Sequence, residues 1–249
     1  MKYQKADILV FAAHPDDAEL GCGGSLIKLS NEGKKIVIVD ATQSELSTRG
    51  TIELRKQEAE HAGDILKLHA RENLEIYDGT IDSSQQNILK VVQQIRKWKP
   101  EILIMPPQFE RHPDHEEMHR LVRKAAFFSG LQKIETEFDG EKQEPHRAKK
   151  MFCFMQTYDF QPSFYVDISE TLDEKVRAMK AFASQFHNPE VYTSEEPETF
   201  ISRPGFLEML ESRARYFGEK IGVKYAEAFY SVEPIGLDSL SIFLKQNED

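Results

Sequence analysis

Two short segments, His14-Pro15-Asp16-Asp17 and His112-Pro113-Asp114-His115, combine histidine and carboxylate in the way a hydrolytic metal ion requires. A catalytic zinc site takes three protein ligands from His, Asp, Glu and Cys and keeps a further position for water, because a closed shell cannot act as a Lewis acid. Two imidazoles and one carboxylate suffice. His14 and Asp17 stand three apart, as do His112 and His115, so each pair shares a face wherever the chain turns helically. Asp16 and Asp114 then point elsewhere. This frees Asp16 from ligation while keeping it near the metal, where a carboxylate can take a proton from an attacking water.

Either segment alone is also what a capped turn looks like, since Pro suits the first helical position and Asp the first turn. The context separates the two readings. Both segments follow apolar runs, at 8–12 and 102–105, and both precede helical patterns. Open α/β sheets bind their ligands there, outside the carboxyl ends of the strands.

The elements that must position these residues follow from periodicity. In the first half, short β-branched runs alternate with helical patterns, as in βαβ units around a parallel sheet. Strands are predicted at 8–12, 35–40, 74–77 and 102–105. Helices are predicted over 18–31, closed by Gly33; from a Thr51 cap to about Leu68; over 84–98, with Ile88, Val91, Val92, Ile95 and Trp98 on one face; and from the His112 segment to about Ser129. The second half reads as a charged loop over 140–150, strands at 151–156 and 164–168, and a helix from a Ser169 cap to about Phe186. Residues 187–205 lack periodicity, which fits a lid or binding loop and equally a surface excursion. Phe206, Leu210, Ala214, Phe217 and Ile221 form a helical stripe, suited to the core or a subunit interface, before a strand through 228–230. The expected fold is α/β: one domain over 1–249, with a Rossmann-like, mostly parallel sheet flanked by helices and an elaborated C-terminal part.

Composition narrows the partners. Over 249 residues the formal charge is -10, so no basic excess exists to neutralise phosphates, and nucleic acid and anionic membranes are disfavoured. A small-molecule substrate fits better. With two cysteines and no apolar stretch at the start, the chain reads as cytoplasmic and reduced, and no run reaches membrane-spanning length. Cys22 could be a metal ligand, but a small apolar filler suits a packed helix better. Gly21-Cys22-Gly23-Gly24 is not a dinucleotide fingerprint, because no third glycine stands at the required spacing and His14-Pro15 occupies the turn after the strand. Close packing of helix on sheet explains these glycines.

His14-Pro15-Asp16-Asp17-Ala18-Glu19, the 42–55 segment and Arg111-His112-Pro113-Asp114-His115 together resemble the LmbE-like, or PIG-L, family of zinc-dependent N-acetylglucosaminide deacetylases. Segments 212–218 and 221–227 look like the branch that deacetylates N-acetylglucosaminyl-malate in bacillithiol synthesis. The resemblance implies that His14, Asp17 and His115 bind zinc, with iron as an alternative ion, that Asp16 is the general base, and that protonated His112 faces the developing oxyanion. Asp114 would hold that imidazole in its charged form or cap the following helix. Arg55 and Arg111 would grip the malate carboxylates, Tyr192 would close over the intermediate, and the chain would assemble into a homo-oligomer, often a hexamer in relatives. Alternatives are a deacetylase of another N-acetylglucosaminyl conjugate or chitooligosaccharide, a two-metal phosphoesterase, and a non-catalytic sugar- or metal-binding module. The spare carboxylate of Asp16 argues against the last.

Overall fold

The computed structural model describes residues 5–186 and 197–243. Apolar β-branched runs form β1 (Ile8–Ala12), β2 (Ile36–Asp40) and β4 (Ile102–Met105), with β3 (Ala70–Asn73) beside β2. Between them run α1 (Asp17–Asn31), α2 (Ile52–Ile65) and α3 (Gln85–Trp98), and α4 (Pro113–Ser129) follows β4. A small hairpin, β5 (Glu137–Phe138) and β6 (Glu141–Lys142), precedes β7 (Lys150–Phe154), β8 (Phe164–Asp167), α5 (Leu172–Lys180), α6 (Phe206–Ile221) and β9 (Ala226–Ser231). The main sheet has the order β3-β2-β1-β4-β7-β9-β8. Its β3, β2, β1, β4 and β7 are mutually parallel, and β9 pairs antiparallel with both β7 and β8. The expected mostly parallel α/β fold is therefore the observed one.

Because side chains alternate along a strand, β1, β2 and β4 feed two cores. Leu9, Phe11, Val37, Val39, Leu103 and Met105 pack against α3 and α4, while Ile8, Val10, Ile36, Ile38 and Ile104 pack with Ala18, Cys22 and Leu26 of α1. The chain leaves β1 towards β2 on one side and returns to β4 on the other, so the strand order switches direction at β1. The crevice between β1 and β4 is the switch point, where such sheets open for ligands. His14 and His112 lie on the loops that leave these two strands.

The glycine-rich part of α1 serves packing. A Cβ at Gly21 would lie 2.2 Å from Cδ2 of Phe154, and one at Gly24 would lie 2.9 Å from Ile168. The helix kinks at Cys22 (φ -146°). Beyond the kink, the Gly24 and Ser25 amides donate to the buried carboxylate of Glu227, which also receives Lys175 Nζ at 2.6 Å. Cys22 is wholly buried in the core, and burial pushes its thiol well above its ordinary pKa.

Four elements differ from expectation. The third strand lies at 70–73 rather than 74–77, because Leu74 and Ile76 are buried but Glu75 between them takes a left-handed φ of 52° and breaks the extended run. The polar strand is held instead by Arg71, which reaches the buried carboxylates of Asp40 and Glu19. The second helix stops at Ile65, short of Leu68, where Lys67 turns left-handed at φ 54°. The helix expected over 169–186 spans only Leu172–Lys180 with Thr171 at its N-cap. Ser169 accepts from the Tyr225 amide instead, and the Ser184 amide and hydroxyl are taken by the Glu58 carboxylate. Within the charged loop, Asp139 and Gly140, both left-handed, make the turn of the β5–β6 hairpin.

Of the α6 stripe, Phe206, Ala214 and Phe217 are buried in the core, Leu210 is half-buried and Ile221 is exposed. No helix among the described residues is long and apolar enough to cross a membrane. Gly21→Ala is predicted to lower stability by about 1–3 kcal/mol through overpacking against Phe154, despite the better helix propensity of alanine. Urea denaturation measures this, and a neutral or stabilising effect would contradict the packing account.

Candidate active site

The two segments converge. The His14 ring centroid lies 4.8 Å from that of His112 and 5.5 Å from that of His115, and the last two are 5.2 Å apart. One ring nitrogen from each of the three comes within 4.8 Å of the others. Asp17, the first residue of α1, touches two of the rings: its Oδ1 is 3.2 Å from His115 Nε2 and its Oδ2 is 3.8 Å from His14 Nδ1. In a tetrahedral zinc shell with bonds of about 2.0–2.1 Å, donor atoms sit roughly 3.3 Å apart. The Asp17–His115 pair sits near that spacing and the Asp17–His14 pair somewhat wider, through the other carboxylate oxygen, with His112 beside them.

Hydrogen bonds orient Asp17, His14 and His112, whereas the buried Nδ1 of His115 has no hydrogen-bond partner among the described residues. Asp17 Oδ2 accepts from the Ala13 and His14 amides, and Oδ1 accepts from Gln156 Nε2 at 2.7 Å. The far nitrogen of His14, Nε2, meets Asp78 Oδ1 at 3.0 Å and Asp114 Oδ2 at 3.4 Å, which leaves Nδ1 turned towards Asp17. Carboxylates placed behind an imidazole in this way fix its orientation and raise its basicity as a ligand. His112 caps α4, its Nδ1 accepting from the Asp114 amide at 3.3 Å. That bond assigns the ring proton to Nε2.

These residues line one cavity of about 550 Å³. Its lining includes His14, Asp16, Asp17, His112 and His115, with Arg55 and Asp78, and also the exposed Arg111 and Arg203 and the half-buried Phe200 and Arg213.

Residues 9–126 match the profile of the family described as PIG-L: GlcNAc-PI de-N-acetylase. A conserved protein of Thermus thermophilus has a similar structure, with a TM-score of 0.83 and 36% identity over 95% of this chain and 99% of that one. The diacetylchitobiose deacetylase of Thermococcus kodakarensis is 29% identical over 92% of this chain and 84% of its own length. A probable N-acetyl-alpha-D-glucosaminyl L-malate deacetylase of Bacillus cereus is 23% identical over 72% of this chain and 83% of its own. The chain belongs to the PIG-L deacetylase family. With the family comes the reaction class, hydrolysis of an amide.

In this PIG-L chain, Asp16 has φ 128°, outside the regions open to an L residue at low cost. Such backbone strain, of order 1–3 kcal/mol, persists only where surroundings over-determine it. Here Arg55 does so, donating from Nη1 to Asp16 Oδ2 and to the Pro15 carbonyl, both at 2.8 Å. Burial raises the Asp16 carboxyl, Arg55 lowers it and Asp17 raises it again, for a net value of about 7. Burial would also raise Asp17, but His115, His14 and the His14 amide hold it well below the carboxylate range. His14, pulled down by burial, is held up at about 10 by Asp114, Asp78 and Asp17.

Three expectations need correction. Arg55 is no free fork for an aglycone carboxylate, because its buried guanidinium is engaged by Asp16, Pro15 and Ser47. His112 is not held in its charged form: burial and the adjacent His14 and His115 lower its pKa. Asp114 does not face that ring, since its carboxylate binds the Gly79 amide and faces His14. Arg111 does reach the cavity, with its guanidinium 4.5 Å from the Phe200 ring centroid. Tyr192 lies outside the described residues, as does most of the 187–205 segment, although Thr199, Phe200, Ile201 and Arg203 form part of the cavity wall.

Asp78 and Gln156 were missed. Asp78 follows the buried 74–76 run much as His14 follows β1, a signal that was present. Gln156 lies just beyond β7, but an amide is not a usual ligand type and drew no notice.

Asp114, Asp78 and Asp17 keep His14 doubly protonated, and the Nδ1 proton that faces Asp17 must leave when a cation binds there, while Nε2–H stays with Asp78. Metal affinity is therefore predicted to rise with pH, about tenfold per unit below the His14 value if one proton is displaced. Calorimetric titration of the metal-free protein in two buffers of different ionisation enthalpy should show about one proton released. Uptake without proton release would contradict the assignment of His14.

Proposed function

We propose that this chain is a metal-dependent deacetylase that removes acetate from an N-acetylglucosamine conjugate, with N-acetylglucosaminyl-malate as the substrate and zinc as the ion. The observation that carries the reading is the placement of a spare carboxylate, Asp16, beside the cluster of His14, Asp17 and His115. Binding alone has no use for a strained, arginine-held carboxylate there. Bound to His14, Asp17 and His115, a divalent ion would supply Lewis acidity, polarising the acetyl carbonyl and acidifying water.

The protein side of the chemistry follows from the geometry. Asp16 takes a proton from the attacking water, a task suited to a group that titrates near neutrality, and returns it to the departing amine. His112 presents Nε2–H to the carbonyl oxygen as charge develops there. A preorganised donor of this kind contributes about 3 kcal/mol to the transition state. Its cap on α4 fixes that tautomer in advance, so no ring reorientation is needed during the reaction.

Support for an anionic aglycone comes from the arginines of the cavity lining. Phe200 is contacted by Arg111 and by Arg203, each guanidinium 4.5 Å from the ring centroid, and among the described residues neither arginine meets a carboxylate. Two exposed cations thus line a cavity that also carries Asp16, Asp17 and Asp78, in a chain of net charge -10. Planar guanidinium groups suit the two carboxylates of malate. The similarity to diacetylchitobiose deacetylase supports a second reading, in which the second unit is a neutral sugar. A second cluster, His14, Asp78 and Asp114, has the makings of another cation site. Its carboxylates already hold His14 Nε2 and the Leu46 and Gly79 amides, which favours a supporting role over a two-metal phosphoesterase.

Asp16→Asn is predicted to lower acetate release by at least a hundredfold while leaving one metal ion per chain by elemental analysis. Loss of the metal would make Asp16 a ligand and overturn its assigned role. Arg111→Gln and Arg203→Gln are each predicted to raise KM for the malate conjugate about tenfold and to leave KM for diacetylchitobiose nearly unchanged. Equal effects on both substrates, or efficient cleavage of diacetylchitobiose alone, would remove the malate assignment.

A further inference from the structure

The loop that carries His112 has few anchors of its own. Between the end of β4 and the start of α4, residues 107–111 make no backbone–backbone hydrogen bond among the described residues. Their polar ties run through Glu110. This side chain is 5% exposed, and its carboxylate accepts three amides: Arg111 at 2.7 Å on Oε1, then Thr157 at 2.8 Å and Tyr158 at 3.3 Å on Oε2. Its own amide donates to Glu116 Oε1 at 3.2 Å, in the first turns of α4. The Thr157 and Tyr158 amides have no other partner among the described residues.

The segment at the other end of this tie also belongs to the site. Gln156, immediately before Thr157, donates to Asp17 Oδ1, and its carbonyl receives Arg213 from α6. Glu110 therefore bridges two loops that approach the metal cluster from β4 and β7: one bears the proposed oxyanion donor His112 and the other bears Gln156, which orients Asp17. Glu110 itself is absent from the cavity lining.

We infer that Glu110 is a positioning residue for hydrolysis, a carboxylate tie that sets the distance between His112 and the Gln156–Asp17 pair. The inference rests on the deacetylase reading for its kinetic arm. A carboxylate is suited to the task because both oxygens only accept, matching three converging N–H donors. The amide in Glu110→Gln keeps the size but turns an NH₂ group towards one set of donors. The tie should open on one side, and His112 should lose its fixed distance from the reacting carbonyl. Small displacements of a positioned group cost rate steeply.

The test compares wild-type enzyme with Glu110→Gln and Glu110→Asp, the latter keeping the charge over a shorter reach. Acetate release, metal content and amide hydrogen exchange are measured on the metal-loaded protein. For Glu110→Gln the expected result is a kcat about tenfold lower, a KM within about twofold of wild type, one ion retained per chain, and faster exchange at both 109–112 and 157–158. Glu110→Asp should recover part of the kcat. A lowered melting temperature with unchanged kcat would show a merely structural carboxylate and overturn the inference, as would a loss of metal or an effect on KM alone. If the wild-type enzyme releases no acetate from any N-acetylglucosamine conjugate, the deacetylase reading fails separately. Exchange then decides the tie: joint acceleration in both segments supports it, and unchanged protection overturns it.

Discussion

Charge balance in one buried crevice governs this molecule. Asp16, Asp17, Asp78 and Asp114 lie with His14, His112 and His115 at the switch point of the sheet, most of them nearly inaccessible to water. Isolated charges are costly in such a place and must be paired, hydrogen-bonded or shared with a cation. The fold supplies what pairing it can. Asp17 is held by two amides and Gln156, Asp16 by Arg55, and Asp78 and Asp114 by amides and by His14. Without a metal ion, His14 carries the balancing positive charge, the condition reflected in its raised pKa. A divalent cation would take over that role and release His14 as a neutral ligand.

The same balance separates the two carboxylates of the first motif. Asp16 and Asp17 are neighbours and both buried, yet one is raised to about 7 and the other held below the carboxylate range. Histidines and amides surround Asp17, whereas Asp16 has one guanidinium to oppose its burial and the negative charge of Asp17. Pairs of titratable groups driven apart by their surroundings mark acid–base sites. The strained backbone at Asp16 fits this division, since it turns adjacent side chains towards different partners.

Much of this was legible in the sequence for one physical reason: an open parallel sheet places ligands beyond its strand ends, and the chemistry-bearing residues stand on the loops that follow β1 and β4. The alternation of apolar runs and helical stripes located those strands. What escaped detection depended on tertiary partners. Arg55 reads as a free cation until Asp16 is seen against it, and Asp114 reads as the companion of its neighbour His112 until the fold brings His14 closer. The third strand was misplaced because apolar Leu74 and Ile76 look like a strand, while the true one, Ala70–Asn73, is polar and held by the ion pairs of Arg71. Asp139-Gly140 was a visible turn signal that went unread.

The most direct test of the central claim is a crystal structure of the protein soaked in zinc, with anomalous scattering recorded above and below the zinc edge. The account predicts one ion per chain, bound by His14 Nδ1, Asp17 and His115 Nε2 at about 2.0–2.2 Å, with Asp16 and His112 outside the shell on its open side. An ion bound by His112 in place of Asp17, or one held between Asp78 and Asp114, would contradict it.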